Sequence, residues 1–338
     1  MKVLRLHQPH DLRFHDEPAP VPEAGEELVK MAAVSICGSD LHWFAEGGIG
    51  TARLTRPLVL GHEMAGMIVS GSREGERVAI DPAIPCGKCE FCREGNPNFC
   101  TALRFAGDGL TVDGGLQEYI RWPSKSIWPL PESISFGEAA VLEALGVGIH
   151  SIDLGHLRVG MSVGIFGCGP IGLMMVQLAR LAGAAFIVAT DRLPQRVEAA
   201  RRFGAHLALQ ADDGREAGEI LAATHHRGLD VTFEVAGDNA AVETAAATAK
   251  PGAKVVLVGI PPEDRTSFQA STVRRKGLTV KWVRRMKHVY PRAIRLVEEG
   301  LVDVHAIITH RFPFSQAQQA FEEAANRNGL KVILEFEE

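Results

Sequence analysis

Nowhere in the 338 residues does an apolar run approach the roughly 20 residues needed to cross a bilayer. The opening from Met1 to His7 alternates in the manner of a strand and holds no signal-peptide core, so the expected location is the cytosol and no membrane partner is expected. A dense Lys/Arg stripe is also missing, and a net charge of −5 argues against a general nucleic-acid binder. Internal repeats and low-complexity tracts are absent, which excludes an array of stacked modules. Cysteine is scarce, with six residues at 37, 86, 89, 92, 100 and 168. Four of them crowd into one short segment, too clustered for a distributed disulfide framework, and in a reducing compartment they read as metal thiolates. What remains is ordinary for a soluble protein: 46% hydrophobic and 23% charged residues, in a chain long enough for two cores.

The texture changes along the chain. The first ~145 residues read as short strands punctuated by Pro and Gly, clearest at 29–36 and 77–80, with Pro18, Pro20 and Pro22 marking an early connection. From Met161 strands and helices alternate. Strands are predicted at 163–166, 186–190, 207–209, 231–235, 254–258 and 278–283, and helices at 170–183, 194–203, 215–226, 239–249 and 267–275. Six strands with helical crossovers make a doubly wound parallel sheet, an α/β arrangement. Helices at 291–299 and 315–326 and a closing strand at 332–334 follow. The nucleotide-binding portion, 146–284, is thus expected to be inserted between an N-terminal part, 1–145, and its return, 285–338.

Within the alternating portion, Ser162 to Asp191 is the most informative stretch. A short apolar strand leads into Gly167, Gly169 and Gly172, the G-x-G-x-x-G spacing, with Pro170 and Ile171 between the last two glycines. A largely apolar helix follows, then a second strand ending at Asp191, nineteen residues past Gly172. The first glycine makes the turn, the second lets backbone approach a pyrophosphate, and the third lets helix and strand pack closely. The helix N-terminus attracts phosphate charge, and the acid accepts from a ribose hydroxyl. A lone glycine triplet is often only a tight turn, but strand, helix, strand and acid together mark a dinucleotide site. Arg192 and Arg196 border it, and either is able to attract a 2′-phosphate; the Asp191 carboxylate is expected to prevail, giving NAD over NADP.

Cys86, Cys89, Cys92 and Cys100 stand with two, two and seven residues between them. Four thiolates around zinc leave no open position, so this lobe is expected to be structural. A second set is dispersed: Cys37, Ser39, Asp40 and His42 follow one strand, and His62 and Glu63 follow another apolar run. Cys, His and Glu form a plausible three-ligand zinc site with one position open. Each is weak alone, and spacing does not bring residues 37 and 62 together.

The segments Cys37–His42 and Gly61–Glu63, the four-cysteine lobe and Gly167–Gly172, in this order, resemble the zinc-dependent medium-chain dehydrogenase/reductase family over essentially the whole chain. Within it the sequence is most similar to the sorbitol (polyol) branch, through Glu63, Leu142–His150 and Ile308–Pro313. The resemblance implies a Rossmann NAD-binding domain inserted into a β-rich GroES-like catalytic domain. It also implies catalytic zinc on Cys37, His62 and Glu63, with Glu143 close to the open metal position. Ser39 would be a hydroxyl relay, His42 would carry the proton outward, and Asp40 would orient His62. Arg285 matches a substrate-contacting arginine, while Trp43 and Met286 stand where that branch tends to have tyrosine, and Ala144 replaces a usual proline. Losing two hydroxyls puts sorbitol itself in doubt, because buried polar groups discriminate among hydroxylated substrates. The implied activity is hydride transfer between a polyol or secondary alcohol and NAD. A butanediol-type or sugar-acid dehydrogenase is the alternative, and a regulatory dinucleotide-binding protein the non-enzymatic one. Relatives imply a homo-oligomer, tetramer or dimer.

Overall fold

The computed structural model of the chain describes residues 1–109, 111–211 and 214–337. Two compact units divide it: residues 1–144, 287–300 and 304–338 form one, and 145–286 with 301–303 the other. Residues 145, 285 and 286, expected in the first unit, group with the second, and so does the stretch 301–303 of the C-terminal return. For that stretch the cause is local: Gln177 Oε1 accepts from the Asp303 amide at 2.8 Å and Gln177 Nε2 donates to the Asp303 carbonyl at 3.2 Å.

The first unit is built on a seven-stranded sheet. Ile127–Pro129, Arg77–Ile80, Glu63–Ile68, Glu26–Ser35, Lys331–Glu335 and Ile308–Pro313 lie side by side in that order, and Tyr119–Pro123 also pairs with Glu26–Ser35. Glu26–Ser35 begins with the alternation that one covered face demands: Val29 and Met31 are buried while Lys30 is not. From Ala33 onward burial is continuous, because the strand end is central and flanked by Glu63–Ile68 on one side and Lys331–Glu335 on the other. Trp43, Phe44, Leu60, Met64, Trp122 and Phe321 fill the core against this sheet.

The second unit holds six strands paired in parallel throughout. Their order is Leu207–Gln210, Phe186–Asp191, Ser162–Phe166, Leu229–Glu234, Ala249–Leu257 and Thr279–Trp282. That is the doubly wound order in which the reversal falls beside the first strand, where such sheets bind ligands at strand C-termini. Several boundaries differ from the sequence reading by one to five residues, and at two of them the backbone shows why. The strand expected at 254–258 starts at Ala249, but its first pairing is broken: the register shifts between Leu229 and Val231, where Pro251 and Gly252 interrupt the regular ladder. The helix expected over 215–226 ends at Ala223, and His225 and His226 take φ of 50° and 59°, which no helix continues through. No helix among the described residues is long and apolar enough to cross a membrane.

Candidate active site

Sheet register does what sequence spacing could not. Ser35 at the end of its strand pairs with Glu63 at the start of the neighbouring antiparallel strand. Two residues past Ser35 comes Cys37, and one residue before Glu63 comes His62, so both flanks of the pair meet at one end of the sheet. Cys37 is also the N-cap of the helix Gly38–Glu46, and its amide donates to Asp40 Oδ2 at 2.9 Å. The other Asp40 oxygen accepts from the Gly61 amide at 3.2 Å and lies 3.4 Å from His62 Nδ1. One buried carboxylate thereby ties the helix start to the loop carrying the histidine. Gly61, at φ 90°, is required there, since a Cβ would lie 2.8 Å from Val34 Cγ1. The sulfur of Cys37, a His62 ring nitrogen and a Glu63 oxygen all lie within 4.8 Å of one another.

Burial works against the Asp40 carboxylate, but His62 and the amides of Cys37 and Gly61 outweigh it and hold Asp40 below the usual range. Burial likewise opposes charge on His62, yet Asp40 and Cys37 push the imidazole well above its ordinary value. Glu63 is fully buried and carries its own cation: Lys331 Nζ lies 2.7 Å from Oε1 and 2.6 Å from Oε2. Ser35 Oγ also donates to Glu63 Oε2. Lys331 is 4% exposed, and Glu63, Cys37 and Asp40 overcome burial to keep its ammonium protonated above the ordinary value. The pocket is therefore lined with anionic groups that draw positive charge. With Nδ1 facing Asp40, His62 presents Nε2, and Cys37, His62 and Glu63 fit a metal held by three protein donors.

The four-cysteine lobe is assembled locally. Cys86 to Cys100 wraps around the short helix Glu90–Arg93, and the Cys86 amide donates to Cys100 Sγ at 3.2 Å. All four sulfurs lie within 4.8 Å of one another. Amides of Cys92 and Thr101 pull the Cys89 thiol down to about 6, while burial and its thiol neighbours push Cys92 up to about 12. Sulfurs so crowded cannot all ionise without mutual repulsion, and a dication on four thiolates removes that conflict. The donor set fits a closed structural zinc.

In the second unit, Gly167 takes φ 111°, and a Cβ on Gly172 would fall 1.9 Å from the Gly167 carbonyl oxygen, so turn and helix pack with no room for a side chain. Helix Pro170–Leu181 starts with Pro at its first position and no side chain capping its first amides, which leaves them to an anion. Asp191 is fixed by two amides, Cys168 to Oδ2 at 2.8 Å and Leu193 to Oδ1 at 2.9 Å. Each oxygen retains a lone pair for a further donor. Arg192 is turned to Asp238 at 2.7 Å, whereas Arg196 Nη1 lies 3.7 Å from the point where a Gly169 Cβ would stand, beside the glycine turn.

Residues 23–132 match the alcohol dehydrogenase GroES-like domain, and residues 170–299 the zinc-binding dehydrogenase domain. The chain is 35% identical to sorbitol dehydrogenase of Bacillus subtilis (strain 168), covering 99% of this chain and 97% of that one. The chain belongs to the zinc-dependent medium-chain alcohol and polyol dehydrogenases. Its fold is accordingly a Rossmann-like parallel-sheet domain with a GroES-like domain, and its activity that of an oxidoreductase. An alcohol dehydrogenase from E. coli CFT073 complexed with NADH superposes on this dehydrogenase with TM-score 0.91 at 30% identity over 99% of both chains. L-idonate 5-dehydrogenase from E. coli gives TM-score 0.88 at 28% identity, covering 99% of this chain and 98% of that one.

Around the donor trio of this dehydrogenase, helix Gly38–Glu46 brings Ser39 Oγ to 3.5 Å from a His62 nitrogen, and one turn on, His42 Nδ1 lies 3.1 Å from Glu46 Oε1. Glu143 is buried in the first turn of helix Leu142–Gly155. Trp43 is also buried, its ring against Gly109, where a Cβ would approach within 2.5 Å of the indole. In the other unit, Met286 is buried and Arg285 holds φ 56°. Three further residues escaped the sequence reading: Ser35, Lys331 and Tyr290. Tyr290 is buried beside Trp128 and donates its hydroxyl to the Ile80 carbonyl at 2.9 Å. Burial first, then the charges of Asp81, Glu143 and Glu63, hold its phenol well above the usual range, so it stays neutral. Its only sequence signal is a tyrosine opening an otherwise charged amphipathic helix, and Lys331 shows as a lysine heading an apolar strand.

Proposed function

We propose that this dehydrogenase transfers hydride between a polyol or a less polar secondary alcohol and NAD, yielding a ketose or ketone. The observation that carries the reading is the buried Cys37–His62–Glu63 trio, three donors that leave a position for a substrate oxygen. When bound, zinc supplies Lewis-acid stabilisation of negative charge on that oxygen, and the nicotinamide accepts the hydride. Asp40 holds His62 in its ligating orientation, and Ser39 Oγ takes the alcohol proton, which His42 passes outward. Glu143 tunes the site's charge and Trp43 shapes the substrate region, while Arg285 and Met286 are assigned to substrate by their match to the polyol branch. Sorbitol and L-idonate, named for two relatives, bracket the substrate class; with Trp43 and Met286 offering no hydroxyl, a vicinal diol or simple secondary alcohol is favoured over a hexitol. A panel of polyols, diols, sugar acids and secondary alcohols, read by nicotinamide reduction in zinc-replete enzyme, tests this. Turnover of none of the polyols, diols or secondary alcohols would refute it, and turnover of sugar acids alone would favour the sugar-acid reading.

Glu143→Gln is expected to lower kcat by roughly 100-fold, the lower end of the range for removing a positioned acid or base, while two zinc ions per chain remain. Purification of this variant with one zinc would make Glu143 an essential ligand and overturn its assigned role.

Cofactor choice follows from Asp191. Its amide-anchored carboxylate would repel a 2′-phosphate, and Arg192 is engaged with Asp238. NAD is expected over NADP by at least about tenfold in kcat/KM, about 1.4 kcal/mol. Asp191→Ala narrows or reverses the ratio, with Arg196 still beside the turn. Equal or better kcat/KM with NADP in the unaltered enzyme would show that the arginines outweigh the acid.

The reading extends to a cytoplasmic homo-oligomer, dimer or tetramer. None of the six cysteines is paired in a disulfide, as a reducing compartment keeps them. The edge strand Thr279–Trp282 exposes Trp282, with Ile260 exposed as well, an apolar edge that association would cover.

A further inference from the structure

Glu63 is an odd ligand. A carboxylate has about four lone-pair sites, and here three are engaged within the protein: Lys331 Nζ approaches Oε1 at 2.7 Å and Oε2 at 2.6 Å, and Ser35 Oγ donates to Oε2. Nothing flexible sets this arrangement. Lys331 opens the strand Lys331–Glu335, which is hydrogen-bonded to Glu26–Ser35 through Ile333↔Ser35 and Leu334↔Val34, and Ser35 is itself the register partner of Glu63. Three adjacent strands therefore converge on one carboxylate, all three side chains almost wholly buried. Burying a lysine without a partner is strongly unfavourable, so Lys331 and Glu63 require each other.

We propose that Lys331 is a positioning residue that competes with the metal for Glu63, limiting the carboxylate to a single, releasable metal bond. Two physical effects act together. The ammonium occupies acceptor positions that a bidentate or strongly held carboxylate would need. Its positive charge also sits within bonding distance of a metal ligand, where it opposes the dication in a water-poor interior. The trio Cys37, His62 and Glu63 then behaves as two firm donors and one adjustable donor. A zinc held by such a set would keep one protein donor exchangeable against a substrate oxygen, which a closed set like the four-cysteine lobe would not offer. Ser35 acts in the same direction and more weakly, through one hydrogen bond.

This inference rests on the donor trio being a zinc site, and the test separates the two. Catalytic zinc is removed from purified enzyme with a chelator and restored against a competing indicator, giving a zinc affinity for Lys331→Met, Lys331→Gln, Ser35→Ala and the unaltered chain. Freed from its rival, Glu63 in Lys331→Met and Lys331→Gln should bind zinc at least about tenfold tighter, one factor of ten being about 1.4 kcal/mol. Ser35→Ala, which keeps the ion pair and the fold, should tighten zinc severalfold. With cobalt in place of zinc, the visible spectrum of Lys331→Met should shift as the carboxylate approaches the metal, and kcat should fall while KM changes little. Zinc affinity unchanged or weaker in every variant that folds overturns the proposal and leaves Lys331 a structural partner of Glu63. Failure of the unaltered chain to bind zinc at this site would instead refute the trio itself.

Discussion

Cys37→Ser should lower kcat/KM by at least about a thousandfold, equivalent to about 4 kcal/mol of transition-state stabilisation, while the protein stays folded. Cys37 supplies one of the three proposed donors, and it caps a helix whose start is also held by the Asp40 side chain on the Cys37 amide. A serine keeps that amide and offers a hydroxyl to the cap, so helix Gly38–Glu46 survives. What it cannot supply is a soft anionic ligand, because a serine hydroxyl stays protonated at neutral pH. Zinc content should drop from two ions per chain to one, with Tm little changed. Two zinc ions retained together with full turnover would show that Cys37 is not a ligand.

In the four-cysteine lobe the effects reverse. Cys89→Ser removes one of four thiolates from a segment with little apolar core of its own, where only Cys100 and Asn98 are buried. Losing a structural metal ranks among the largest single-residue effects, roughly 3–5 kcal/mol, or on the order of 10 °C in Tm for a unit this size. Below the new melting transition kcat should remain within a few-fold of its original value, since no donor of Cys37, His62 or Glu63 is touched. Calorimetry with zinc analysis checks this, and an unshifted Tm with one zinc lost would mean that the lobe is not stabilising.

These two sites also differ in how far sequence reveals them, for a physical reason. The cysteine lobe closes within fifteen residues, and the glycine turn, its helix and Asp191 occupy one contiguous strand–helix–strand unit, so chain connectivity alone brings each together. The proposed catalytic trio depends on a long-range ladder. Ser35↔Glu63 is a pairing that no local periodicity encodes, and only resemblance to a family united Cys37 with His62. Lys331 was further out of reach, since its role exists only once a strand from the other end of the chain joins Glu26–Ser35. Tyr290 drew no reading and fell just outside the helix expected at 291–299, because nothing in its neighbourhood announces the carboxylates it faces. Boundaries moved where backbone chemistry overrode pattern, as at Pro251 and Gly252 in the strand and at His225 and His226 beyond the helix.

The Ser35↔Glu63 ladder has a consequence for how this site could be remodelled, by breeding variants or by design. Between its two rungs the chain runs out through helix Gly38–Glu46 and returns by the loop ending at Gly61, and midway lies a tiny hairpin, Gly48–Ile49 against Ala52–Arg53. The metal donors are positioned by the rungs and by Asp40, not by the length of that excursion. Grafting a longer or shorter hairpin at 49–52 therefore leaves Cys37, His62 and Glu63 in register, whereas deleting one residue within 63–68 would turn every side chain of that strand to the opposite face. Changes of chain length are therefore best confined to the hairpin, with the adjoining strand left untouched.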